Sequence, residues 1–127
     1  MIKITLGKLD DMWMPFKQLL TYQWPSQYAF DLIGVARKLG AERQKYEETR
    51  LQMVKRYGHE ANGGFQIKQE HMDSYVKEIN NLRDKEVEID MQKIQMRDII
   101  NNAPVSGISP AILLDLEPII YDETQKG

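Results

Sequence analysis

Apolar residues recur along this chain at helical steps over four stretches and at alternate positions over two short ones. Leu9, Met12, Trp13, Phe16, Leu19 and Leu20 lie three and four apart, which stacks them on one bulky helix face. Lys3-Ile4-Thr5-Leu6 precedes them as a short strand or extended lead-in, with Thr5 a candidate cap. Pro15 falls inside the pattern and removes one internal hydrogen bond. Because Phe16, Leu19 and Leu20 continue the same face, a kink is expected there rather than a late start. From Ser26 to Tyr57 one helical pattern runs without interruption, with Ser26 the expected cap and Gly58 the stop. At about 1.5 Å per residue this is a rod of roughly 45–50 Å.

The stripe of that rod changes character along its length. Ala29, Leu32, Ile33, Ala36 and Leu39 come first; Arg43, Tyr46, Arg50, Met53 or Val54, and Tyr57 follow. The first half is expected to lie buried in the domain. From Ala41 onward arginine and tyrosine stand where a core places leucine, so the second half is expected to project or to meet a thin layer. Gly34 and Gly40 would let another element come close, at a cost in helicity.

Beyond Gly58, His59–Gly64 reads as a polar turn, with Asn62-Gly63-Gly64 a strong signal. Phe65 and Ile67 alternate with polar neighbours as a short strand, and Val87, Ile89 and Met91 do the same. Between them Met72, Tyr75, Val76, Ile79 and Leu82 mark a helix over residues 69–84. The two strands are expected to pair with each other at the far end of the rod. Ile94–Asn102 is ambiguous, since Ile94 and Met96 alternate while Asp98-Ile99-Ile100 looks helical. Ala103–Gly107 reads as a loop. Ser109-Pro110 is a strong helix start, opening an apolar segment that reaches Tyr121. The expected fold is mainly α with minor β: three to four helices around one long helix, with a small two-stranded element. It forms a single domain over residues 1–127, ending in a polar tail over 122–127.

Composition narrows the function without naming it. The 127 residues suffice for a core that needs no staples. The chain contains no cysteine, which removes disulfides, thiolate nucleophiles and cysteine-held metals. A net charge of −2 argues against general affinity for nucleic acid or an anionic membrane. No apolar run approaches bilayer length, and Met1–Leu6 is too short for a secretory leader. A soluble product is expected.

Candidate chemistry is sparse. His59 and His71 match no metal spacing and read as solvated. Gly63-Gly64 lacks the lysine and hydroxyl residue of a phosphate cradle. Glu86, Glu88 and Asp90 alternate, which suits the wet face of a strand better than a cation site; Glu117, Asp122 and Glu123 read the same way. The long helix carries seven basic residues against four acidic ones. They interleave at helical spacing, as on an exposed face laced with weak ion pairs. Six aromatics crowd Trp13 to Phe30 and read as core, except Trp24, which could anchor an interface or tuck under its turn. No catalytic residue, cofactor or metal ligand is assigned.

The lead-in Lys3–Leu9, the helix segments Ala36–Leu39, Tyr46–Arg50 and Lys55–Gly58, the strand Glu86–Asp90, and the ending Ile108-Ser109-Pro110 with Leu114–Ile120 resemble small proteins of uncharacterised function encoded by tailed bacteriophages. The resemblance covers almost the whole chain, and its motifs are structural rather than chemical. It implies a phage or prophage origin and a small accessory or virion role. The expected function is therefore non-enzymatic protein–protein binding as a minor virion or assembly component. The alternative is an intracellular phage effector that inhibits a host enzyme or defence system. The partner is then a phage structural protein, a host protein or a second copy, and the location the virion or the host cytoplasm. Trp24, Tyr28, Arg43, Tyr46, Arg50 and Tyr57 are the expected contact residues, since tryptophan, tyrosine and arginine supply most hot spots.

Overall fold

The computed structural model describes residues 1–122; residues 123–127, and with them most of the expected polar tail and Glu123, lie outside the described residues. The chain is mainly helical with minor β structure. It begins with strand β1 (Ile2–Thr5) and helix α1 (Leu6–Leu20), followed by the long helix α2 (Ser26–Tyr57). Strands β2 (Gly58–Ala61) and β3 (Gly64–Ile67) form a hairpin. A 3₁₀ turn over Gln69–His71 leads into α3 (Met72–Asp84), then β4 (Glu86–Ile89) and β5 (Ile94–Gln95). Helices α4 (Met96–Asn102) and α5 (Pro110–Asp115), a 3₁₀ turn and β6 (Ile120–Tyr121) complete the described chain.

The core is built on α1. Leu9, Met12, Phe16 and Leu19, three and four residues apart, are all at most 1% exposed. Around them α1 packs against α2, α3, α5 and β1. Thr5 caps the helix as its spacing indicates, its hydroxyl accepting from the Lys8 amide at 3.2 Å. The helix continues through Pro15 to Leu20, so the proline does not end it. α2 buries Leu32, Leu39 and Tyr46, a seven-residue repeat that keeps one side on the core.

Three expectations need correction. Ser26 does not cap α2: it is the first helical residue, Pro25 holds the cap position, and no side chain caps this end. The strands at 64–67 and 86–89 do not pair with each other. β3 pairs with β2, because Asn62 and Gly63 both take positive φ (52° and 82°) and close a two-residue loop that suits the twist of a hairpin. β4 instead pairs antiparallel with β1, setting Ile2 opposite Ile89 and Ile4 opposite Val87. A third pairing, parallel, joins β5 to β6. Finally, burial along α2 departs from the expected halves: Phe30, expected in the core with the other aromatics, is 73% exposed and Ile33 45%, whereas Tyr46, in the half expected to project, is 2% exposed.

The glycines of α2 differ in use. A Cβ on Gly40 would sit 3.2 Å from the Trp13 ring, so this glycine lets α1 and α2 approach. A Cβ on Gly34 would meet nothing within 4 Å. A glycine inside a helix costs about 1 kcal/mol against alanine, and among the described residues no close approach offsets that cost at Gly34.

Candidate protein-binding surface

The six residues expected to make contacts are held by the chain itself. Trp24 tucks under its turn: Nε1 donates to the Leu19 carbonyl at 3.0 Å, and its ring lies 5.3 Å from that of Tyr28. Among the described residues the buried Tyr28 hydroxyl has no hydrogen-bond partner. Burial, with Asp98 and Asp31 adding negative potential, pushes the phenol up to about 12. Tyr57 meets the rings of Tyr75 and His71, at 6.4 and 5.9 Å.

Arg43, Tyr46 and Arg50 belong to a polar clasp joining three helices. Arg83, at the end of α3, donates to Asp11 Oδ1 at 2.9 Å, Asp10 Oδ2 at 3.2 Å, the Gly7 carbonyl at 3.2 Å and the Tyr46 hydroxyl at 3.3 Å. The Asp11 hydrogen bond, followed by that of Tyr46, holds the guanidinium more firmly protonated. Arg43 Nε stands 3.5 Å from Asp10 Oδ1, an ion pair without hydrogen-bond geometry, and its guanidinium lies 5.6 Å from the Trp13 ring centre. Glu47 receives Arg50 at 3.0 Å and Arg43 at 3.5 Å. The Arg50 hydrogen bond lowers the Glu47 carboxyl below its ordinary range. Its contribution to stability is therefore present above the ordinary carboxylate pKa and fades as the pH falls through the lowered one.

These residues do not form one patch. Tyr28 and Tyr57 are separated by roughly 44 Å of helix, and the clasp between them faces α1 and α3.

The tyrosine left without a partner gives a direct test. Tyr28→Phe is expected to leave stability unchanged or raise it by up to about 1 kcal/mol, since it removes a buried hydroxyl that makes no hydrogen bond. The parent chain binds this proton more tightly folded than unfolded. Stability linked to Tyr28 is thus complete below pH 10 and is lost as the pH climbs toward about 12. The phenylalanine variant should lose that part of its alkaline sensitivity, as read by denaturant melts across this range.

The acidic residues of β4 are similarly dispersed. Glu88 faces Lys3 across the strand pair at 3.8 Å, and Asp90 lies beyond the strand, its carbonyl accepting from Lys38 Nζ at 2.6 Å. Among the described residues, no three His, Asp or Glu side chains converge to hold a metal ion. His71 pairs with its neighbour Glu70 at 3.7 Å, and His59 lies in the hairpin.

What α2 leaves open is its opposite face. Phe30 is 73% exposed, and Ile33 and Leu51 45% each. Phe30, Gly34, Arg37, Ala41, Gln44, Glu48, Leu51 and Lys55 are all exposed and follow strict alternating steps of four and three. That spacing keeps them in one seam along about 37 Å of helix. A shallow recess lined by Trp13, Arg37, Gly40, Ala41, Gln44 and Glu47 runs beside it. Sequence reading missed the seam because half of its members are polar or charged, and hydrophobicity alone selects the inner stripe. The alternating spacing was the available signal.

Comparison with protein-family models, with curated proteins and with solved structures finds no match. Among the described residues, no helix is long and apolar enough to cross a membrane.

Proposed function

We propose that this chain is a non-enzymatic phage protein that works by binding protein, as a minor component of the virion or of its assembly. One observation carries the reading: the longest helix exposes Phe30, Ile33 and Leu51 on the face turned away from its own core. Phe30 and Ile33 stand one turn apart on that face and Leu51 lies further along it, and apolar side chains aligned on an outward face suit a contact surface. The resemblance to small proteins of tailed phages supplies the setting.

Mass spectrometry of purified virions, alongside affinity capture from infected lysate, tests this. The expected result is that the chain is found in particles, or in assembly intermediates bound to a phage structural protein. A host enzyme or defence protein captured in one-to-one ratio, with the chain missing from particles, would replace the virion role with that of an intracellular inhibitor. Recovery of neither kind of complex would remove the role in binding phage or host protein.

A further inference from the structure

We propose that the outward seam of α2 recognises a second copy of this chain, the two long helices lying antiparallel about a two-fold axis that passes between Ala41 and Gln44. The inference rests on the protein-binding reading above and names a partner for its surface. A two-fold interface uses one patch twice, so the patch must complement itself when reversed. Reversal about this axis sets Ala41 opposite Gln44, Arg37 opposite Glu48, Gly34 opposite Leu51, and Phe30 opposite Lys55, each twice.

The three outer pairings are chemically matched. Arg37 and Glu48 are exposed on the seam and carry opposite charge. Gly34 has open space where a side chain would stand, and Leu51 is 45% exposed and free to fill it as a knob fills a hole. Phe30, 73% exposed, offers its ring to the Lys55 ammonium. Gly34, against which no described residue packs, gains a role in the pair, since a residue without a side chain leaves room for the second helix to seat its leucine there. A parallel pair would instead stack Arg37 on Arg37, Glu48 on Glu48 and Lys55 on Lys55, and like charges so placed repel. The repeat of seven also suits a shallow left-handed wrap of one helix on the other.

Sedimentation equilibrium over a wide concentration range, on the full chain and on charge variants, tests the proposal. Arg37→Glu and Glu48→Arg should each weaken self-association about tenfold or more, since each sets two like-charge pairs across the seam. Mixing the two variants should restore pairing, because each chain then supplies what the other lacks; the recovery also demonstrates that both variants are folded. The absence of native cysteines allows orientation to be read by oxidation. Gly34→Cys mixed with Leu51→Cys should cross-link, while neither should do so alone. Cross-linking of Leu51→Cys with itself would overturn the antiparallel pair. A chain that stays monomeric at every concentration, or a dimer indifferent to both charge variants, would overturn the proposal. Either result leaves the binding of other proteins to be decided by the virion and capture experiments.

Discussion

Replacing Phe16 by alanine is expected to cost about 3–5 kcal/mol of unfolding free energy, a large share of what a domain of this size possesses. Phe16 is fully buried in the middle of α1, between Met12 and Leu19 on the same face, with the Trp13 ring 6.3 Å away. Its neighbours belong to separate elements, since α1 packs at once against α2, α3, α5 and β1. They cannot collapse together into the space left behind, so the loss includes both the transferred ring and the cavity. Phe30→Ala is the matched control. The same atoms leave a position 73% exposed, and in dilute solution the change should stay within about 0.5 kcal/mol. Urea melts followed by circular dichroism measure both. A small effect at Phe16, or an equal one at Phe30, would show that the apolar face of α1 is not the centre of the core.

That contrast also marks how far the sequence could be read. The helices at 6–20, 26–57 and 72–84 were legible because their apolar positions recur over many turns. Phe16 and Leu39 were legible as core for the same reason. Strand pairing was less so. β2 is Gly58–Ala61, with no apolar alternation to announce it, and its place follows from the positive φ of Asn62 and Gly63. Once that loop claims β3, β4 is left to β1, which lies far away in sequence. Local spacing does not record such long-range choices.

The mixed stripe misled for a different physical reason. Arginine and tyrosine beyond Ala41 suggested a surface awaiting another molecule, yet α3 brings Arg83 and Tyr75 to meet them. Tyr46 can be 2% exposed because its hydroxyl accepts from Arg83. A buried polar side chain is tolerated once it is hydrogen-bonded, and its partner lies 37 residues away. On the opposite face, Phe30 reads as core with the other aromatics and Ile33 with the inner stripe, while Leu51 belongs to neither pattern. Only their position relative to Leu32, Leu39 and Tyr46 shows that they share an outer side.

The second large effect is expected at the clasp, where Arg83→Met should cost about 2–3 kcal/mol. Methionine keeps much of the apolar stem and removes four donated hydrogen bonds, to Asp10, Asp11, Tyr46 and the Gly7 carbonyl. The damage is bounded because Arg43 remains beside Asp10, and Asp11, with a side chain 71% exposed, can be rehydrated. What cannot be rehydrated as easily is Tyr46, which would lose the Arg83 donor to its hydroxyl and remain in the core. Arg83→Lys separates charge from geometry. An ammonium can satisfy one carboxylate but lacks the planar fork that reaches several acceptors at once, so an intermediate loss is expected. The backbone is shaped for the arginine too: a Cβ on Gly7 would stand 3.2 Å from the Arg83 side chain and 3.1 Å from its carbonyl, so the α1 backbone lies against this residue. If denaturant melts gave Arg83→Met the stability of the parent chain, the clasp would be surface decoration. The hold of α3 on α1 and α2 would then rest on apolar packing alone.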